Sequence, residues 1–214
     1  MIFQFSAQNT FCINLDRRQD RWHRMQRIFN VLDIPVTRWK ANTPSEVTDV
    51  IEGTPTQQAC SQSHISLWRH IQKQKIEYAL IFEDDVCIDF KWREKLQAFP
   101  AEVFHLIFLT TDHWYGEPHT WQHTQSQSWS TAAYIVHRQA IELLLKFPYM
   151  PADRMTRTLQ TNTQNKHCYS FFPYLAISIA ADSDIEGSVS YVQKQVTQLE
   201  TVAYALSNYC GISP

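Results

Sequence analysis

Three consecutive carboxylates, Glu83, Asp84 and Asp85, follow directly on the apolar run Tyr78–Phe82. A buried strand does not tolerate unpaired charges, so we expect the trio to emerge at a sheet edge where a cation or ligand compensates it. Alternation along a strand places Glu83 and Asp85 on one face and Asp84 on the other. Two carboxylates on one face suit Mg²⁺ or Mn²⁺, which keep positions for water and phosphate oxygens. The pattern predicts a site for a metal diphosphate; the alternative is a solvated turn or a helix cap.

The composition narrows the class of ligand. The chain has 214 residues, a formal net charge of -2 and a pI near 6.5. This size suits one domain, and we expect residues 1–214 to form it. A nearly neutral chain without a long basic run argues against nucleic acid as a partner. Its four glycines lie far apart, so no glycine-rich phosphate motif can be written, and phosphates would need a metal and side chains.

The cysteines and the apolar stretches bear on location. Five cysteines, an odd number without a C-x-x-C pair, are typical of a reducing compartment. The N-terminus lacks the pattern of a signal peptide, and the apolar stretch Phe171–Ala181 is too short to span a bilayer. We therefore expect a cytoplasmic protein with no transmembrane segment, a location that allows peripheral membrane contact or, for a viral chain, the host cytoplasm.

Hydrophobic periodicity predicts alternating strands and helices. A helix capped by Asp16 should follow the first strand, and a second helix should begin near Ser61 or Ser63 and lead to the acidic strand. A helix over Arg138–Phe147 should precede Pro148. The predicted strands are Thr10–Leu15, Val36–Ala41, the run into Glu83, Phe104–Thr110 and Ala132–Val136. This order predicts an α/β fold with a mostly parallel central sheet and ligands at the carboxyl ends of its strands.

The segment 111–130 is rich in Trp, His, Gln, Ser and Thr and has no core-like period. A loop of this length is often a binding lid, and its rings suit sugar faces. The alternative is a mobile loop with some rings packed on the core. The rings are those of Trp114, Tyr115, Trp121 and Trp129. A metal cluster of His113, His119 and His123 is disfavoured, because no clear helix aligns them.

Several ordered motifs resemble glycosyltransferase family 25, which includes lipooligosaccharide and procollagen galactosyltransferases. The main ones are Cys60-Ser-Gln-Ser-His64 with Leu67-Trp68, and the run that ends in Glu83-Asp-Asp85. Ala59 stands where the family usually has Gly. The other similar segments are Ile13–Arg21, Arg38–Ala41, Trp129–Val136, Pro151–Asp153 and, more loosely, Pro173–Asp184.

This resemblance implies a GT-A type fold in which residues 1–110 bind a nucleotide sugar and residues 111–214 bind the acceptor. It also implies a divalent cofactor, Mn²⁺ or Mg²⁺, and transfer with inversion from a UDP-sugar, most often UDP-galactose. The acceptor would be a hydroxyl of a glycan, glycolipid or glycoprotein. Two other hypotheses remain: a non-catalytic glycan-binding module or degenerate transferase, and a Mg²⁺-dependent phosphoryl-transfer enzyme.

The resemblance also suggests roles for the acidic residues. Asp85 would coordinate the metal, Glu83 would lie near it or near the ribose, and Asp84 would contact the donor or orient the site. Asp153 is the candidate base that accepts the proton of the acceptor hydroxyl. Its alternative role is to cap a helix over residues 154–159. Asp182 and Asp184 are further candidates for base or metal ligand.

The remaining candidates belong to the donor site. Asn14 and Arg18 would contact the nucleotide, although Arg18 can equally be a solvated helix charge. The backbone around Ala41 and Asn42 would contact it too. Ser63 and His64 match the family's Ser-His pair, and His64 would either bind the donor or hold the acidic strand.

Overall fold

The computed structural model describes residues 2–111, 116–124, 130–164, 166–178 and 188–212, with the backbone alone for 188–192. Six predicted functional residues lie outside the described residues: His113, Trp114, Tyr115, Trp129, Asp182 and Asp184.

Ten strands and six α-helices are described. The strands are β1 (Thr10–Asn14), β2 (Thr37–Lys40), β3 (Tyr78–Glu83), β4 (Val86–Asp89), β5 (Leu106–Phe108), β6 (Thr120–His123), β7 (Ala133–His137), β8 (Cys168–Phe172), β9 (Ala176–Ser178) and β10 (Tyr209–Cys210). The helices are α1 (Gln19–Val31), α2 (Pro55–Lys73), α3 (Trp92–Gln97), α4 (Arg138–Leu144), α5 (Ala152–Asn162) and α6 (Ser188–Thr201). Short 3₁₀ turns cover Pro44–Glu46 and Leu206–Asn208.

The central sheet has seven strands in the order β2-β1-β3-β7-β5-β8-β6. β1 pairs in parallel with β2 and β3, and β5 pairs in parallel with β8. β7 is antiparallel to both β3 and β5, and β6 is antiparallel to β8. Five strands therefore run one way and two run the other. The predicted α/β fold with a mostly parallel sheet is confirmed.

Alternation along β3 explains why both faces of the sheet are covered. Leu80 and Phe82 face one apolar cluster, which includes Met25 and Phe29 of α1. Ala79 and Ile81 face a second cluster, which includes side chains of α2, α4 and α5. A strand buried on both faces needs apolar residues at successive positions, as residues 79–82 of this strand are.

Two helix starts differ from the prediction. α2 begins at Pro55, because Thr54 forms a capping box: its hydroxyl accepts the amide of Gln57, whose side chain accepts the amide of Thr54. Asp16 does not cap α1, whose N-cap is Arg18 without a side-chain cap hydrogen bond. The Asp16 carboxylate instead lies 3.3 Å from the Arg38 guanidinium.

A second sheet of three strands, in the order β10-β4-β9, packs with α6 beside the central one. It is held by a buried ion pair in which Lys95 Nζ lies 2.7 Å from Asp89 Oδ2. The Tyr204 hydroxyl donates to the same oxygen at 2.6 Å. None of the described helices is both long and apolar enough to cross a membrane.

Candidate functional site

The first three strands create a crevice at their carboxyl ends. β1 lies between β2 and β3, with α1 packed on one face of the sheet and α2 on the other. In such sheets ligands bind outside the carboxyl ends of the strands, at the point where the strand order reverses. The register pairs Ile13 with Glu83, so the ends of β1 and β3 are level.

A cleft occupies this crevice. The lining combines acids, arginines and small side chains: Ile13, Asn14, Leu15, Arg17, Arg21, Ala41, Asn42, Pro44, Thr56, Ala59, Cys60, Ser63, Glu83, Asp84 and Asp85. The structure therefore brings together all three acids and four of the other predicted residues, Asn14, Ala41, Asn42 and Ser63.

Asn14 joins β1 and β2 to the acidic turn. Its amide nitrogen donates to Asp84 Oδ2 at 2.5 Å and to the carbonyl of Arg18 at 3.1 Å. Its amide oxygen accepts two hydrogen bonds from Arg38, at 2.6 and 2.8 Å. These bonds use the hydrogen-bonding capacity of the amide. The side chain of Asn14 thus positions Asp84. Asn14 also lines the cleft, and its contact with the nucleotide stays a prediction.

Asp84 is held by Asn14 and by Arg21, whose guanidinium lies 3.0 Å from Oδ1. Burial raises the pKa of Asp84, and the hydrogen bonds from Asn14 and Arg21 only partly offset that effect. Both oxygens of Asp84 accept hydrogen bonds from neighbouring side chains. This contact pattern suits the orienting role.

Glu83 ends β3, and Asp84 and Asp85 lie in the turn before β4, so strand alternation does not extend to them. Glu83 Oε1 lies 3.2 Å from His64 Nε2 and accepts the Thr131 hydroxyl at 2.9 Å. Burial raises the pKa of Glu83, but the hydrogen bond and charge of His64 and the bond from Thr131 outweigh it, so the net pKa is lowered. Glu83 is a carboxylate that stays ionised in a mostly enclosed place.

Asp85 has the least compensated charge of the three acids. Its Oδ2 accepts the Ser178 hydroxyl at 3.3 Å, while no described residue donates a hydrogen bond to its buried Oδ1. Burial, then the charges of Glu83 and Asp84, raise the pKa of Asp85 to about 7. A buried carboxylate oxygen without a donor is costly, and a cation would remove that cost.

The far wall of the cleft comes from α2 and the loop after β2. The Ser63 hydroxyl accepts the amide of Asn42 at 2.8 Å and donates to the carbonyl of Ala59 at 2.8 Å. The amide of Ala41 donates to the carbonyl of Asn14 at 3.0 Å. Ser63 therefore holds the loop at Asn42 against the helix and shapes the cleft through the backbone.

Three predicted residues lie outside the lining: Arg18, His64 and Asp153. Arg18 precedes α1 and pairs with Asp20 at 2.9 Å. His64 is fully buried in the middle of α2, not near its start, with Nδ1 2.9 Å from the Tyr134 hydroxyl. His64 therefore supports Glu83 from behind.

Asp153 is in the first turn of α5, whose N-cap is Pro151, so it does not cap this helix. Its Oδ1 accepts the amide of Arg154 at 2.9 Å. Burial, and further the charge of Glu83, raise the pKa of Asp153. The sequence predicted a helix over residues 154–159, whereas α5 covers Ala152–Asn162.

Sequence reasoning missed the basic side of the cleft and the support behind Asp85. Arg17 and Arg21 both line the cleft. Arg21 lies three residues after Arg18, so helical spacing could have indicated it. Gln195 of α6 is buried, and its Oε1 accepts the amide of Ser178 at 3.1 Å. No sequence signal links Gln195 to Asp85, because 109 positions separate them.

The described part of the Trp-rich segment is not all loop. β6 covers Thr120–His123, and the Trp121 ring packs against Phe99 and Phe171 while its Nε1 donates to the carbonyl of Lys95 at 3.0 Å. The partly buried Trp121 ring therefore follows the alternative in which some rings of this segment pack on the core. The His123 ring lies 4.5 Å from the Tyr169 ring, at an interplanar angle of 32°.

The acidic end of the cleft fits a hard divalent cation. Asp85 offers a buried oxygen without a described donor, and Glu83 offers a second, ionised carboxylate in the same lining. Oxygen ligands of this kind are those that Mg²⁺ and Mn²⁺ prefer.

Residues 7–128, more than half of the chain, match the family model described as "Glycosyltransferase family 25 (LPS biosynthesis protein)". The chain is 26% identical over 171 residues to the "Lacto-N-neotetraose biosynthesis glycosyltransferase LgtE" of Neisseria meningitidis serogroup B, covering 66% of this chain and 61% of the relative. It is 28% identical over 114 residues to "Procollagen galactosyltransferase 1-B" of Xenopus laevis, covering 44% and 19%. The matches thus span less than two thirds of these relatives.

One solved structure aligns at a TM-score of 0.37 and 12% identity, covering 77% of this chain and 70% of the other. Its title is "crystal structure of a glycosyltransferase involved in the glycosylation of the major capsid of PBCV-1".

Proposed function

This chain belongs to glycosyltransferase family 25, and from that membership and the acidic cleft we propose that it transfers galactose from UDP-galactose to a hydroxyl of a glycan or glycoconjugate, with inversion. Both named relatives are glycosyltransferases, one of them a procollagen galactosyltransferase. The observation that carries the proposal is the buried Oδ1 of Asp85, which lacks a described hydrogen-bond donor and belongs to a residue that lines the cleft.

In this proposal Asp85 and Glu83 would hold Mn²⁺ or Mg²⁺. When bound, the cation would offset the negative charge that develops on the leaving nucleoside diphosphate. Asp84 cannot turn freely, because Asn14 and Arg21 hold its two oxygens. It therefore fixes the acidic turn relative to β1, so that the neighbouring Asp85 keeps its place.

The basic and neutral parts of the lining have separate roles. Arg17 and Arg21 add positive charge to the wall formed by α1 and the loop before it, which favours the diphosphate. The loop at Ala41 and Asn42 lies on the opposite wall, where its backbone can contact the base or ribose. Residues 1–110 supply this entire lining, in agreement with the proposed donor-binding half.

Asp153 is the proposed base. Its raised pKa, caused by burial and by Glu83, makes its carboxylate a better proton acceptor than an exposed aspartate. Asp153 would accept the proton of the acceptor hydroxyl as that oxygen attacks the sugar. The acceptor itself would be bound by elements of residues 111–214.

Calorimetric titration of UDP with and without Mn²⁺ tests the donor site. We expect Mn²⁺ to tighten UDP binding to the wild type by at least about tenfold, or 1.4 kcal/mol. Asp85→Asn should lose that effect, while Asp49→Asn, the same change at an exposed position, should keep it. Equal UDP affinity with and without Mn²⁺ would reject the donor site.

Hydrolysis of UDP-galactose separates a transferase from a binding module. We expect slow release of UDP from UDP-galactose in the presence of Mn²⁺ and no acceptor. Binding of UDP without any hydrolysis of UDP-sugars would instead support the degenerate transferase.

A further inference from the structure

We propose that Cys60, His64 and Glu83 form a second cation site, selective for a thiophilic divalent metal such as Zn²⁺. In the part of the chain that the structure describes, they are the one group of three His, Cys or acidic side chains whose ligand atoms all lie within 4.8 Å of one another. This site is distinct from the proposed role of Asp85, because its ligands include a sulfur and an imidazole nitrogen. Such a set favours Zn²⁺ over Mg²⁺ or Mn²⁺.

The spacing of two of the ligand atoms already suits tetrahedral coordination. His64 Nε2 and Glu83 Oε1 are 3.2 Å apart. Nitrogen and oxygen ligands at about 2.0 to 2.2 Å from Zn²⁺ are separated by roughly 3.3 Å at a tetrahedral angle. The thiolate needs a separation of roughly 3.6 Å from the nitrogen, because the Zn–S bond is about 2.3 Å. Cys60 Sγ lies within 4.8 Å of the other two ligand atoms. A small movement of the Cys60 side chain is therefore enough to reach this separation.

The two elements that supply these ligands are rigid. Cys60 and His64 are four residues apart on α2, so they lie on one face of the helix. Glu83 is the last residue of β3, which is paired on both sides by β1 and β7. A three-ligand site built on a helix and a central strand needs little ordering when the metal binds.

Neighbouring groups hold the ligands in place. The Tyr134 hydroxyl lies 2.9 Å from His64 Nδ1, and the Thr131 hydroxyl donates to Glu83 Oε1. Coordination through Nε2 places the imidazole proton on Nδ1, from where it is donated to the Tyr134 oxygen. Such outer contacts orient metal-binding histidines and carboxylates in proteins.

The charge around Cys60 also favours a cation. Burial, then the charges of Glu83 and Asp153, raise the pKa of the Cys60 thiol. The same carboxylates that oppose a bare thiolate attract a divalent metal, which deprotonates a coordinating thiol. Cys60 and Glu83 both line the cleft, which gives a metal access to them.

One consequence rests on the proposed function. Zn²⁺ at this site would engage Glu83 and compete with its role in the donor site, so Zn²⁺ would inhibit a Mn²⁺-dependent transferase. The binding experiment below needs no sugar nucleotide, so its result is independent of the donor and of catalysis.

Cobalt titration of the metal-free protein tests the site. Co²⁺ bound to a thiolate gives a charge-transfer absorption in the near ultraviolet. We expect this band to saturate at one equivalent of Co²⁺ and to disappear when Zn²⁺ is added. Cys60→Ser should abolish the band, while Cys210→Ser, the same change at a cysteine in β10, should keep it. Absence of the band in the wild type, or its persistence in Cys60→Ser, would overturn the proposal.

A second measurement does not depend on the folding of a variant. Zn²⁺ should slow alkylation of Cys60 by iodoacetamide in the wild-type protein by at least about tenfold, which corresponds to about 1.4 kcal/mol, because a metal-bound thiolate is not free to react. Peptide mass spectrometry reports each cysteine separately, so the other four serve as internal controls. Equal labelling of Cys60 with and without Zn²⁺ would contradict the proposed coordination.

Discussion

Neutralising Asp85 should stabilise the metal-free protein at alkaline pH. Burial and the charges of Glu83 and Asp84 raise the pKa of this carboxyl from 3.8 to about 7. A shift of roughly 3 pH units corresponds to about 4 kcal/mol of unfavourable free energy when the group is ionised in the fold. In Asp85→Asn the amide would leave one buried donor unpaired, which costs about 1 to 3 kcal/mol. The net gain at pH 8 is therefore about 1 to 3 kcal/mol.

The pH dependence of this effect follows from linkage. The folded pKa lies above the unfolded one, so between pH 4 and 7 the folded state binds more protons, and the stability contributed by Asp85 falls as the pH rises. The advantage of Asp85→Asn should thus be about 2 to 3 kcal/mol smaller at pH 5 than at pH 8.

Thermal unfolding in the presence of a chelator measures this difference. For a chain of this size, each kcal/mol corresponds to about 2 to 4 °C in Tm. Asp49→Asn is the matched control, since it removes an exposed carboxylate. The reasoning would be refuted if the Tm of the wild type and of Asp85→Asn changed in parallel with pH. It would also be refuted if Asp85→Asn were the less stable protein at pH 8.

Three other changes test separate parts of the structure. Asp153→Asn should lower kcat by a factor of about 10² to 10⁴ with UDP binding unchanged, because it removes the proposed base. Steady-state kinetics measures kcat and calorimetry measures UDP binding; a normal kcat would contradict the assignment. Gln195→Leu leaves the amide of Ser178 without its acceptor. We therefore expect weaker Mn²⁺-dependent UDP binding and a free energy of unfolding, measured in urea, that is lower by about 1 to 3 kcal/mol. An unchanged affinity for UDP would argue against support of Asp85 through Ser178. Lys95→Met leaves Asp89 buried beside Tyr204 and should lower the free energy of unfolding by about 3 kcal/mol. Arg138→Met, at an exposed pair with Glu142, should lower it by under about 1 kcal/mol. Similar losses in urea unfolding of the two variants would contradict the importance of burial.

The sequence predicted the parts of the fold that local patterns encode. The apolar run before Glu83 indicated a buried strand, and hydrophobic periodicity indicated the helix that follows the first strand, which is α1. The start of α2 is also encoded, because Thr54-Pro-Thr-Gln57 is a capping box, but the prediction placed this start near Ser61 or Ser63.

Other features depend on contacts between distant residues. The direction of β7 cannot be read from its apolar pattern, since parallel and antiparallel central strands have the same composition. The carboxyl ends of β1 to β3 were predictable as the ligand edge, which placed Asn14, Ala41 and the acids near one another. The hydrogen bonds that commit Asn14 to Asp84 and Arg38 connect three separate segments, so residue type alone could not distinguish a ligand contact from a support.

The antiparallel strand β7 has a consequence for dissecting the chain. It lies between β3 and β5, so a strand from the second half of the sequence fills the middle of the sheet. A fragment that ends at residue 110 would keep the whole cleft lining but would expose the hydrogen-bonding edge of β3, which promotes self-association. Co-expression of residues 1–110 with 111–214 should therefore rescue solubility that the shorter fragment lacks, and donor binding should be sought in the reassembled pair.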